Sequence, residues 1–297
     1  MTLLEAIQQK VLIGDGAMGT QLQAAGLEPG GCGEIWNIER PDVILAIQKA
    51  YVDAGSDVLI SNTFGASRIM LARHGYADKA REINQAGVRI ARQAFGDKPG
   101  FVLGDIGPFG GLMEPHGEVS EDAVREAFDE QAQALVDAGA DAIIIETMTA
   151  LEELGIALES AKKAGASIII GSVAFDVTVN GKDVRTMMGI SPEKAAKFLE
   201  DNGAHIAALN CGAGVDMAWA AKIAARYRAS CSLPVMAQPN AGLPVLEKMK
   251  VVYKQDPDEF AAGLPALVDA GARIVGACCG STPLNIRKFR EVLAHSK

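Results

Sequence analysis

The chain has 297 residues, 49% of them hydrophobic and 22% charged, an ordinary composition for a globular protein. A formal net charge of -9 gives no overall attraction to nucleic acid or an anionic membrane, and no run of about 20 apolar residues appears that would cross one. The start, Met1-Thr2-Leu3-Leu4-Glu5-Ala6, lacks the basic and apolar regions of a signal peptide, and five cysteines are too few and odd in number for a disulfide framework, so a reducing cytoplasm is expected.

In chain order, apolar runs at residues 11–16, 58–62, 102–106, 142–146, 168–173, 206–210, 235–238 and 274–277 read as strands. Most are continuous rather than alternating, as strands buried on both faces should be. Helical patterns fill the gaps at 41–54, 78–95, 120–138, 150–164, 191–202, 217–228 and 257–270. One phrase, Asp-Ala-Gly-Ala-Asp at 137–141, recurs in variants at 53–57, 163–167, 201–205 and 269–273. Each copy ends a helix on a glycine and precedes a strand, which is the αβ loop of a βα repeat. Strands alternating with helices demand a parallel sheet. Eight units fit one α/β domain over 1–297, a (β/α)8 TIM barrel. An open doubly wound sheet is the alternative, weakened because no dinucleotide fingerprint follows the first strand.

Chemistry in such a barrel sits at the C-terminal strand ends. Here those ends are polar and glycine-rich: Gly14-Asp15-Gly16-Ala17-Met18-Gly19-Thr20, Ser61-Asn62-Thr63-Phe64-Gly65, Gly104-Asp105, Glu146-Thr147, Asn210-Cys211-Gly212, Gln238-Pro239-Asn240-Ala241-Gly242 and Cys278-Cys279-Gly280. Three thiols therefore converge on one rim, the outline of a zinc site with an open position. Spacing alone leaves other outcomes open. Neighbouring strand residues point to opposite faces, so Cys278 and Cys279 share a metal only if the chain bends, and Gly280 permits the bend. A vicinal disulfide or plain burial would also account for them. Cys231 reads as a small buried hydrophobe and Cys32 as an exposed thiol in a glycine loop. Asp15 reads as a ligand carboxylate or a turn residue, and Asp105 as a ligand or a brace. Glu146 ends an apolar strand and needs a cation or donors. His74, His116, His205 and His295 are scattered and carry no assigned role.

With these segments assembled, the chain resembles the homocysteine S-methyltransferase family. The match runs from Asp15-Gly16-Ala17-Met18-Gly19-Thr20 through Asn62-Thr63-Phe64-Gly65 and Gly104-Asp105-Ile106-Gly107-Pro108 to Cys278-Cys279-Gly280-Ser281-Thr282-Pro283. Thr63-Phe64-Gly65-Ala66-Ser67-Arg68, Pro239-Asn240-Ala241-Gly242 and Gly280 look most like the homocysteine-binding module of the cobalamin-dependent methionine synthases. Ala277 departs from the glycine usual there. The resemblance implies a zinc-dependent barrel whose ligands are Cys211, Cys278 and Cys279, with Asn240 in the fourth position when substrate is absent. It implies methyl transfer to the homocysteine thiol, giving methionine. A zinc-bound thiol ionises near neutral pH, so the sulfur attacks as thiolate and no general base is needed. Asp15 and Glu146 are expected to hold the α-ammonium, and backbone amides around Gly16, Ala17 and Thr63 the carboxylate. The folate, cobalamin and activation modules of that branch do not follow before Lys297. Methylcobalamin is therefore expected on a separate corrinoid carrier protein. Two alternatives stand beside this. A small onium donor (S-methylmethionine, betaine or dimethylsulfoniopropionate) would call for aromatics at the mouth, with Trp36 and Tyr51 the nearest. A zinc–thiolate subunit could bind thiols without turnover.

Overall fold

A computed structural model describes residues 1–247 and 250–295. Eight strands form one parallel sheet: β1 (Leu12–Ile13), β2 (Val58–Ile60), β3 (Phe101–Ile106), β4 (Ala142–Met148), β5 (Ile169–Val173), β6 (Ile206–Asn210), β7 (Val235–Gln238) and β8 (Ala272–Val275). Their order is β1-β8-β7-β6-β5-β4-β3-β2, every neighbouring pair being parallel. This is the (β/α)8 barrel, and each expected strand has its counterpart in it.

The seam between β1 and β2 is closed largely by carboxylates. The Asp57 amide donates to the Ile13 carbonyl at 2.7 Å, and its side chain accepts the Ile13 amide at 2.9 Å. One turn onward, the Asp15 carboxylate accepts the Ile60 amide at 2.8 Å. Beyond Ile13 only the side facing β2 relies on a side-chain oxygen; towards β8 the Gly14 amide still donates to the Val275 carbonyl at 2.8 Å and the Asp15 carbonyl accepts the Ala277 amide at 3.0 Å.

Period-two alternation divides the strand side chains between two cores. Leu12, Val58, Leu103, Ile144, Ile170, Ala208, Met236 and Ile274 point inward and fill the barrel. Leu3, Ala6 and Ile7 of the first helix (Leu3–Gln9) join that cluster and stopper its N-terminal end. The intervening strand residues pack outward on the helices, for instance Val102, Ile143 and Ile169 against Leu135, Leu154 and Leu199. The five repeated glycines, Gly55, Gly139, Gly165, Gly203 and Gly271, all have positive φ, as the αβ loop requires.

Two features depart from the sequence reading. The helix expected over 257–270 is two, Pro257–Ala262 and Leu264–Asp269. Pro265 lacks an amide proton, so it opens a new helix rather than continuing the old one. Two hairpins also interrupt βα connections: Asp176–Val177 with Val184–Arg185 after β5, and Pro244–Glu247 with Lys250–Tyr253 after β7. Among the described residues, no helix is long and apolar enough to cross a membrane.

Candidate functional site

Cys211 follows β6 directly and adopts φ 57°, a left-handed conformation that is uncommon outside glycine. Its amide donates to the Gln238 carbonyl at 3.2 Å. The next residue must be glycine on two counts: Gly212 has φ +89°, and a Cβ there would lie 1.8 Å from the Phe175 carbonyl oxygen. The Cys278 amide donates to the Pro239 carbonyl at 2.9 Å, and the Cys279 carbonyl accepts the Ala241 amide at 3.0 Å. The β7 loop thus holds the cysteine pair as it leaves β8.

These backbones bring the three sulfurs within 4.8 Å of one another. Cys211 to Cys279 is 3.9 Å and Cys278 to Cys279 is 3.9 Å. All three are free thiols, so the pair forms no vicinal disulfide. Thiolates about 2.3 Å from a tetrahedral zinc stand roughly 3.8 Å apart, so the spacing suits that ion. The charge pattern agrees. Hydrogen bonds from Cys278 and Cys279 lower Cys211 to about 3. The same contact with Cys211 pushes Cys279 up to about 11, and Cys278 is raised as well. By themselves the sulfurs share one negative charge and resist a second; a bound cation removes that resistance. Asn240 joins them. Its Nδ2 donates to the Gly212 carbonyl at 3.1 Å, while its buried Oδ1 has no hydrogen-bond partner.

The thiols open into a cavity of about 380 Å³ whose wall also carries Asp15, Glu34, Asp105 and Glu146. Among the described residues, none lining it is basic. Asp15 is 3% exposed; its Oδ2 is spent on Ile60, and its buried Oδ1 lacks a partner. Burial, then the Glu146 charge, raises its pKa well above the usual carboxylate range against the Ile60 hydrogen bond. Asp105 is raised by burial and by the Glu146, Asp15 and Glu34 charges, and its buried Oδ1 is likewise unpartnered. It lies on the cavity wall. Burial, followed by repulsion from Cys211, lifts Glu146 to about 7. Asn210 fixes the backbone beside it: its Oδ1 accepts the Thr147 amide at 3.0 Å, and its Nδ2 donates to Thr147 Oγ1 at 2.7 Å. That grip holds Thr147 at φ 61°.

Several expectations need correction. The Ala17 amide already donates to Ser281 Oγ at 2.9 Å, and the Thr63 amide to the Ser61 carbonyl at 2.8 Å. Thr63 is fully buried, and the cavity wall passes from Asn62 to Phe64 without it. Neither amide is free for a ligand carboxylate; Gly16 remains on the wall. Trp36 lies under the Arg40 guanidinium, and the buried Tyr51 donates to the Ala17 carbonyl, so neither lines the mouth. Cys32 is buried, with its thiol 3.4 Å from Glu34 Oε2, rather than exposed. Cys231 is only partly buried, packed against the outer core. His205 accepts the Ile169 amide at the opposite end of its strand from the site.

Sequence reasoning missed two residues. Glu34 reaches the wall from a glycine-rich loop, its Oε1 accepting the Gly65 amide at 2.8 Å. An acid directly after Gly31-Cys32-Gly33 was the available signal. Tyr253 enters from the second hairpin, and no local pattern announces it.

A family model described as homocysteine S-methyltransferase matches residues 12–293. The chain belongs to that family. It is 36% identical over 314 residues to a methionine synthase of Mycobacterium tuberculosis, covering 99% of this chain and 26% of the relative. A methionine synthase of Mycobacterium leprae is 36% identical over 308 residues, with 98% and 25% covered. The chain thus spans about a quarter of the length of these curated relatives. In fold it resembles the metallated homocysteine methyltransferase MmuM of Escherichia coli, with a TM-score of 0.77 at 22% identity and 98% of both chains covered.

Proposed function

We propose that the cavity binds homocysteine and that the chain transfers a methyl group to its thiol, giving methionine. The observation that carries this reading is the placing of three mutually close thiols in one cavity with buried, partly unpartnered carboxylates. Cys211, Cys278 and Cys279 would hold zinc, and Asn240 would complete the set when the acceptor is absent. When bound, zinc supplies a Lewis acid that keeps a coordinated thiol deprotonated near neutral pH. Asp15 and Glu146 pair with the α-ammonium, the cation their buried charges lack. Gly16 is the remaining backbone candidate for the carboxylate.

For the donor we favour a methylcorrinoid presented by a carrier protein. Phe64 is the only aromatic on the cavity wall among the described residues, which gives no aromatic cage for an onium group. Large apolar side chains stand exposed on the surrounding loops: Phe64, Leu112, Met187, Met188, Leu243 and Leu246. They supply a face that a macromolecular donor would cover.

The test is a methyl-transfer assay on zinc-loaded protein with homocysteine. Methylcobalamin is compared with S-methylmethionine, betaine and dimethylsulfoniopropionate, and methionine is quantified. Methionine from methylcobalamin alone is expected. Turnover only with a small onium donor would overturn the donor assignment, and tight homocysteine binding without turnover from any donor would leave a thiol-binding subunit.

A further inference from the structure

Side-chain alternation along the strands sets a polar layer on top of the barrel core. Leu103, Ile144, Ile170, Ala208 and Met236 point inward. The residues two positions on, Asp105, Glu146, Ser172, Asn210 and Gln238, form the next layer, and Asp105, Glu146 and Gln238 of it line the cavity. Ser172 and Asn210 satisfy each other: Ser172 Oγ donates to Asn210 Oδ1 at 2.6 Å, and the Asn210 Nδ2 is spent on Thr147. Gln238 has no such arrangement. It is 3% exposed, its buried Oε1 has no hydrogen-bond partner, and among the described residues none accepts from its Nε2. Its stem lies in space that two glycines leave open. A Cβ on Gly276 would stand 3.3 Å from Gln238 Cγ and 2.9 Å from the Asp15 carbonyl oxygen, and one on Gly14 would stand 3.2 Å from Gly276 Cα. The Gln238 side chain is thereby seated beside the Asp15 backbone, at the end of the cavity assigned to the head group of the substrate.

We propose that Gln238 is a specificity-determining residue that reads the zwitterionic head group of the acceptor, its Nε2 donating to the α-carboxylate and its Oε1 accepting from the α-ammonium. The proposal rests on the reading of the cavity as the homocysteine site. A buried amide without partners is unfavourable until a ligand completes it, and one planar amide offers a donor and an acceptor side by side. An α-amino acid presents the matching pair on neighbouring atoms. Asp15 and Glu146 bring negative charge for the ammonium, but the carboxylate needs donors. The Ala17 and Thr63 amides are spent, and the Asn62 Nδ2 is held by the Gly33 carbonyl and Asn37 Oδ1. Gln23, the other glutamine on the wall, is exposed. A lysine or arginine in place of Gln238 would pair with the acids and compete with the ammonium for them. A neutral amide donates to the carboxylate without that competition, so the site favours a thiol that is also an α-amino acid over a simple thiol.

Gln238→Met keeps the length of the side chain and removes both ends of the amide. Gln238→Asn keeps the amide and withdraws it by one methylene. Binding to the zinc-loaded full chain is measured by calorimetry for homocysteine, for 3-aminopropanethiol, which lacks the carboxylate, and for 4-mercaptobutanoate, which lacks the ammonium. Both variants are expected to bind homocysteine about 10- to 100-fold more weakly, with zinc content unchanged. For each truncated thiol the loss is expected to be smaller, since only one of the two hydrogen bonds is there to lose. Unchanged homocysteine affinity in both variants overturns the proposal. So does an equal loss for all three thiols, which is the mark of a displaced wall rather than of a lost head-group contact. If the unsubstituted zinc-loaded chain binds no homocysteine at all, it is the reading of the cavity that fails, and the two failures are told apart.

Discussion

The Asp15 carboxylate accepts the Ile60 amide at 2.8 Å, across the seam where β1 and β2 lack a continuous ladder. One oxygen closes the barrel, and the other lies buried on the cavity side without a partner. Structure and recognition are therefore separable at this residue. Asp15→Ala strands the Ile60 amide, and denaturant titration should show a loss of about 1–3 kcal/mol. Asp15→Asn keeps an acceptor for Ile60 but no charge. It should unfold within about 1 kcal/mol of the unsubstituted chain while its KM for homocysteine rises at least about tenfold, a loss of ~1.4 kcal/mol. Equal destabilisation by both variants would show that the charge, not the seam bond, is what matters.

Glu146 leaves the wall of the same cavity with no seam duty. Glu146→Gln preserves shape and removes the charge proposed to meet the α-ammonium. Calorimetry should show homocysteine binding weakened by about 10- to 100-fold, the range for a charge-assisted contact of ~1.5–3 kcal/mol. Zinc content by atomic absorption should stay unchanged, since no sulfur is touched. Unaltered affinity would remove Glu146 from the recognition scheme.

Each cysteine of the cluster is a separate test. Cys211→Ala, Cys278→Ala and Cys279→Ala should each drop bound zinc well below one equivalent and methionine formation below detection. Cys231→Ala, on the outer face, is the control and should keep both. A cluster variant that stays fully active with its metal stripped would refute the zinc assignment.

The barrel was legible because its strands are continuous apolar runs and its αβ loops repeat a glycine phrase. The thiol cluster was legible because Cys211, Cys278 and Cys279 sit one to four residues past strand ends, where a closed barrel must bring them together. What stayed hidden depends on contacts that only the folded backbone fixes, most of them distant in sequence. Nothing near Asp15 reveals that it bonds Ile60, 45 residues away. The amides of Ala17 and Thr63 looked available because their partners, Ser281 Oγ and the Ser61 carbonyl, are fixed only by folding. Tyr253 lies in a βα segment with strand-like residues of its own, and only the hairpin's return brings it to Gly280.

Glu153 supplies a pH test away from the thiol cluster. It is 7% exposed, and its Oε1 accepts the Phe109 amide at 2.8 Å. Burial lifts it from an ordinary 4.5 to about 7, with the Phe109 hydrogen bond opposing. The folded state therefore holds this proton more tightly than the unfolded chain does. Its contribution to stability is fully present below the unfolded value and is lost as pH rises through about 7. At about 1.36 kcal/mol per unit, the loss by pH ~8 amounts to roughly 3 kcal/mol at most. Glu153→Gln keeps an acceptor for Phe109 and cannot ionise. Its melting temperature should match that of the unsubstituted chain near pH ~5 and exceed it near pH ~8, the gap opening as the carboxyl would have titrated. Two melting curves that run parallel across that range would mean that Glu153 is already ionised in the folded state at the lower pH, held by the Phe109 amide more strongly than burial opposes it.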